Sequence, residues 1–168
     1  MPSKRKSKPP VKAIKIRWDP SKTVAENASE KLPELARGFF EAGRNLAGKE
    51  ASFEALHHFR LLTKRFRYTL ELFRPCYGPG LESRIESLQT LQQDLGDIND
   101  CATTQELIRK RDDLGPAQRD GLVGNLKMLA ASRIVKFRED WHAGFGQSTR
   151  ERWWINYLMR FAGPRGAG

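Results

Sequence analysis

Apolar residues recur along this chain at intervals of three and four, a period that predicts helices rather than strands. Val24, Ala28, Leu32, Leu35, Phe39 and Leu46 form the first stripe, over about 19–47. Asp19-Pro20 reads as an N-cap followed by proline in the first turn. Pro33 predicts a kink or restart, Gly38 and Gly43 weaken the helix, and Gly48 ends it. A second helix is predicted over 52–75, with Ser52 as cap and Glu54 favourable in the first turn. Its apolar stripe is Phe59, Leu62, Phe66, Leu70 and Phe73, and CYGPG makes the following turn. The third helix spans about 81–110, with Ile85, Leu88, Leu91, Leu95 and Ile98 inward. Gly96 within it costs about 1 kcal/mol relative to alanine, which predicts close approach of a neighbouring helix backbone. RDDLGPAQRDG is a loop into a fourth helix that begins near Pro116. Its stripe is Leu122, Leu126, Leu129, Ala130, Ile134, Phe137 and Trp141, closed by Gly144 and Gly146. A short last helix over 149–161 carries Trp153, Trp154, Tyr157 and Phe161. Those aromatics are packing, or an interface where exposed.

The expected fold is therefore all-α, an antiparallel up-and-down bundle of about four long helices plus a short C-terminal helix. The bundle is expected over 19–162, after a basic disordered arm over 1–18 and before a flexible tail over 163–168. Connections are short enough for antiparallel neighbours. No internal repeat and no glycine-rich phosphate loop with Walker spacing occurs.

The polar side of the second helix changes the picture. His57, Arg60, Lys64 and Arg67 recur at spacings of three and four, opposite the apolar stripe. The ladder spans about 15 Å at 1.5 Å per residue, a length that suits an extended polyanion better than one phosphate. Arg60 and Lys64 are like charges at i,i+4, which costs about 0.2–0.5 kcal/mol in an isolated helix. The plain alternative is a solvated face with basic stems covering apolar surface. Arg65 stands off the stripe, at its rim. Arg37 and Arg44, seven apart on the first helix, share a side and would widen the basic surface. Arg133 and Lys136, at the edge of the fourth helix's stripe, are further candidates for anion contact. Asp94, Asp97, Asn99 and Asp100 stand as groups that would orient the ladder from behind, or as ordinary helix-surface residues.

Composition bounds the reading. The chain has 168 residues and a net charge of +10. Lys4, Arg5, Lys6, Lys8, Lys12, Lys15 and Arg17 supply seven of those charges with no acid among them, which leaves +3 for the rest. An anion site in the folded part must therefore come from local segregation of charge. The arm itself would add salt-sensitive attraction to nucleic acid or another polyanion, but it lacks the interleaved aromatics that stack bases. No apolar run reaches the roughly 18–20 residues that cross a bilayer, and the N-terminus lacks a secretory apolar core. Cys76 and Cys101 lack metal-ligand spacing, so free thiols in a reducing cytoplasm are expected.

HHFRLLTKRFRYTLELF, followed by LQTLQQDLGDINDCATTQELI, resembles the CHAD family, the conserved histidine α-helical domain. The family's first motif, H-x-x-R-x-x-x-K/R-K/R-x-R-Y, falls on His57, Arg60, Lys64, Arg65, Arg67 and Tyr68. Its second, L-Q-x-x-L-G-x-x-N/R-D, falls on Leu91, Gln92, Leu95, Gly96, Asn99 and Asp100. The resemblance covers about 21–110. It implies helical bundles whose basic face binds inorganic polyphosphate without catalysis or cofactor. Family members commonly carry two such bundles around a positively charged channel, whereas this chain has one ladder. The resemblance thus implies a half-length member, with a homodimer to complete a channel.

Other chemistries fit less well. His57 and His58 are adjacent, point about 100° apart and sit among cations, so a shared metal ion is not expected. No nucleophile stands beside a base, which argues against an enzyme; the acids at 94, 97 and 100 share a side suited in principle to Mg²⁺. The principal rival is a histidine phosphotransfer bundle using His57, although Leu61, Leu62 and the surrounding cations do not make an open, small-residue docking surface. A third reading is nonspecific nucleic-acid binding through the same charge.

Overall fold

The computed structural model describes residues 16–48 and 50–160. Among the described residues five α-helices follow one another: α1 Val24–Ala47, α2 Phe53–Leu72, α3 Gly80–Arg109, α4 Pro116–Gly144 and α5 Ser148–Arg160, with a 3-10 turn at Arg74–Cys76 after α2. The fold is an all-α bundle. The largest interfaces join α3 to α4, α2 to α3 and α1 to α5. Among the described residues no helix is long and apolar enough to cross a membrane.

Local chemistry explains the ends, with corrections at the first helix. Thr23, not Asp19, caps α1: its hydroxyl accepts from the Glu26 N–H while Glu26 reaches back to the Thr23 N–H, the reciprocal pattern of a capping box. Asp19 instead accepts from the N–H and hydroxyl of Ser21 at 2.9 and 2.6 Å, folding the entry into a turn. Pro33 is buried inside α1, which continues through it without a restart. Ser52 caps α2 by accepting from the Ala55 N–H at 3.1 Å, and Pro116 opens α4, both as the sequence predicts.

An aromatic nucleus organises the core. Phe39 of α1 meets Phe59 and Phe66 of α2, Trp141 of α4 and Phe145, all at ring separations of 5.2 to 5.6 Å. Gly43 is what lets Trp141 in. A Cβ at that position would stand 1.9 Å from the indole ring, so the glycine that weakens α1 locally is needed for packing. The amphipathic stripes mostly bury as predicted, but Val24, Leu122 and Leu129 lie exposed. α3 and α4 have 30 and 29 residues against 20 in α2, so at about 1.5 Å per residue they outreach their partners. The first half of α4 packs as part of a two-helix extension.

The short α5 is pinned by polar anchors as well as by Trp154 and Leu158 in the core. Arg84 of α3 is buried with its guanidinium 3.4 Å from the Trp153 ring centre and 3.8 Å from that of Tyr157. Burial pulls its pKa down to about 10, which leaves it charged at neutral pH and stacked on aromatic faces. The Tyr77 hydroxyl donates to the Leu158 carbonyl at 2.8 Å. Trp153 is thus half-covered packing, while Phe161 and the tail lie outside the described residues.

Of the basic arm expected over 1–18, residues 1–15 lie outside the described residues. Ile16 packs against the core and the Trp18 ring lies 5.0 Å from that of Phe73. Ile16 and Trp18 are therefore part of the packed chain. Cys76 and Cys101 are free and buried.

Candidate functional site

α2 buries Leu56, Phe59, Leu62, Thr63, Phe66 and Leu70, which leaves the cation stripe along the edge where α2 meets α3. The two helices run antiparallel, and α3 answers the stripe in register. The Asn99 side-chain carbonyl Oδ1 lies 2.8 Å from His57 Nδ1. One turn on, Arg60 Nε lies 3.8 Å from where a Cβ at Gly96 would stand. At the far end Arg67 Nε donates to Gln92 Oε1 at 2.9 Å. Gln92, Gly96 and Asn99 are spaced by four and three, which puts them on one side of α3.

α3 treats its two neighbours differently. Toward α2 it presents amides and a glycine; toward α4 it presents acids. Asp97 pairs with Arg133 at 2.7 Å and Asp94 with Lys136 at 2.7 Å. Lys136 also pairs with Asp140 on its own helix. The Asp140 and Asp94 hydrogen bonds together push its pKa up. Asp94 and Asp97 therefore do not back the α2 ladder; their positions on α3 turn them toward α4. Arg133 and Lys136 are structural ion pairs in this arrangement, and their charge is locally neutralised. Asp100 is exposed, its carbonyl accepting from the Thr103 hydroxyl at 3.2 Å; Asn99 is the member of that group that touches the ladder.

The ladder's own cations are less neutralised. Among the described residues Arg60, Lys64 and Arg65 have no carboxylate partner, and Arg60 Nε is buried without a hydrogen bond. Arg67 is the exception, since it also donates to Glu71 Oε1 at 2.5 Å. Tyr68 is exposed, with the Arg67 guanidinium 4.4 Å and the Lys64 ammonium 5.6 Å from its ring centre. Arg65, Lys64 and Tyr68 line a shallow outward depression of about 440 Å³ together with Leu61 and Leu72. So His57, Arg60, Lys64, Arg67 and Tyr68 share one continuous surface, with Arg65 at its rim.

Arg44 is elsewhere, paired with Glu151 of α5. Arg37, two turns earlier, shares that side of α1, so neither extends the α2 stripe. Three residues of the site are not among the sequence's candidates for it: Gln92, Glu71 and Gly96 as the seat of Arg60. Gly96 is not a point of backbone contact between helices: among the described residues, a Cβ there would meet that guanidinium alone within 4 Å. The signal was available as the spacing of Gln92, Gly96 and Asn99, which mirrors the ladder. No group of three or more His, Cys, Asp or Glu side chains able to hold a metal ion occurs among the described residues.

The family model of the CHAD domain matches the chain over residues 4–109. That span contains α1, α2 and α3, including the whole ladder and the amides behind it. Searches of curated proteins and of solved structures find no match.

Proposed function

The chain belongs to the CHAD domain family, and on that premise we propose that the α2 stripe binds inorganic polyphosphate, as a binding module rather than an enzyme. The observation that carries this reading is the unequal treatment of charge by α3. It matches the cations of α4 with carboxylates, yet positions His57 and Arg67 with neutral amides and gives Arg60 a glycine. An amide orients a cation without cancelling its charge, so the stripe keeps its positive potential at Arg60 and Lys64, while Arg67 shares its charge with Glu71.

Each side chain has a distinct part in the reading. Arg60 and Arg67 offer planar forks that suit phosphate oxygens, and Lys64 a mobile point charge. Arg67 would exchange Glu71 for phosphate. His57 is more constrained than its sequence position suggests. Asn99 Oδ1 only accepts, so Nδ1 carries a proton and the other nitrogen, Nε2, donates to a phosphate only when the ring is an imidazolium. A second copy presenting the same stripe would flank the polyanion on its other side. Leu61, Tyr68 and Leu72, exposed beside the stripe, would be the contacts of such a homodimer, and the arm would add weaker attraction for nucleic acid.

Competition tests the reading. Polyphosphate and RNA of matched charge are titrated against the full chain at rising salt. Tighter binding of polyphosphate that persists as RNA is lost supports the site. Equal affinities with equal salt slopes would assign the interaction to general charge.

A further inference from the structure

Beyond the ladder, α3 and α4 continue as a pair whose seam is built from small residues, Ala102, Ala130 and Ala131. Small side chains cannot fill the space between two helices, and a groove of about 410 Å³ remains there. Phe53, at the start of α2, and Ile134 complete its apolar walls.

One polar group in this lining is anomalous. Gln105 is 2% exposed. Its Oε1 accepts from Arg109 Nη2 at 3.3 Å, which settles which end of the amide is nitrogen, because arginine only donates. The Nε2 is buried and has no hydrogen-bond partner. Buried donors are seldom left unmade in folded chains, so one beside a groove points to an acceptor brought from outside. Arg109 and Lys127 also line the groove, against Glu106 as its one acid. Neither cation has a carboxylate partner among the described residues. The local balance favours an anionic head.

We infer that this groove is a second binding site, separate from the ladder, for an organic carboxylate with an apolar body. The head would meet the Gln105 amide between Arg109 and Lys127, and the body would cover Phe53, Ala102, Ala131 and Ile134. A phosphate chain does not suit these walls, since most of its oxygens would lose water without gaining partners. The volume lies in the range of small-molecule sites. The inference stands independently of polyphosphate binding.

The test is a ¹⁵N NMR titration of the full chain with octanoate, with octanol, which lacks the charged head, and with acetate, which lacks the body. Octanoate is expected to saturate shifts at the Gln105 side-chain amide, Ala102 and Ala131, at least about tenfold more tightly than either control. Gln105→Leu removes the donor at similar volume, and Lys127→Glu reverses an exposed charge; each is expected to weaken octanoate about tenfold or more. Arg60→Glu is expected to leave it unchanged. Absence of saturable shifts in the groove, octanol binding as well as octanoate, or unaltered affinity in Lys127→Glu would overturn the inference. Should Gln105→Leu fail to fold, the surface substitution at Lys127 decides.

Discussion

Arg60 lies across Gly96, its Nε 3.8 Å from the place a Cβ would take and buried without a hydrogen bond. The glycine is thus a seat for a cation on the facing helix, and the distance makes two substitutions there behave differently. Gly96→Ala makes only ordinary contact and removes the helix penalty of glycine, so stability should rise by about 1 kcal/mol with polyphosphate affinity unchanged. Gly96→Leu should push the guanidinium off its seat and weaken polyphosphate at least tenfold, a loss of about 1.4 kcal/mol. Urea denaturation and a polyphosphate titration on both variants check the pair. Equal binding by Gly96→Leu would mean that Arg60 does not touch the ligand.

Gly43 and Trp141 make the opposite case to Gly96. A Cβ at Gly43 would fall 1.9 to 2.4 Å from three indole carbons, closer than a core can absorb by small shifts. Overpacking of this kind costs about 1–3 kcal/mol or more, which outweighs the roughly 1 kcal/mol that alanine gains in a helix. Gly43→Ala should therefore lower Tm, by roughly 2–4 °C for each net kcal/mol in a chain of this size. Combining it with Trp141→Phe should recover part of the loss.

The entry to α1 predicts a contribution to acid sensitivity. Hydrogen bonds from Ser21 hold Asp19 below its ordinary 3.8, and those from the Thr23 N–H and hydroxyl hold Glu26 below 4.5. Groups lowered in the folded chain stabilise it fully above the ordinary values, and that contribution is lost as pH falls through the folded-state values. Glu26→Gln should lower Tm slightly at neutral pH and show a shallower fall between about pH 5 and 3 than the parent. Parallel curves would remove the capping box as a contributor.

How much of this was legible in the chain differs by feature. The helices and the cation stripe follow from periodicity, because Phe59, Phe66 and Leu70 must face a core and thereby fix where Arg60 and Lys64 point. Periodicity does not say which neighbour a second face will meet. Asp94, Asp97 and Asn99 look equivalent along α3, yet the first two turn to α4 and the third to α2. Nor does it say which edge of a broad apolar stripe meets the partner, so Leu122 and Leu129 read as core and lie exposed, whereas Val123 and Ala130, one position on, are buried. At α1, Asp19-Pro20 and Thr23 with Glu26 are both start signals. The second wins because two backbone donors are satisfied at once. Gln105 carries no signal at all in sequence, since its importance rests on an unmade hydrogen bond.

The most direct trial of the central claim is polyphosphate affinity in the double substitution Arg60→Glu with Lys64→Glu, measured on the full chain with helicity followed by circular dichroism. Neither side chain has a carboxylate partner among the described residues, so reversing both should leave the bundle folded. The account predicts unchanged helicity and a loss of affinity of about a hundredfold or more, since two charge-assisted contacts of about 1.5–3 kcal/mol each disappear. Affinity equal to that of the parent, in a folded double variant, would contradict it.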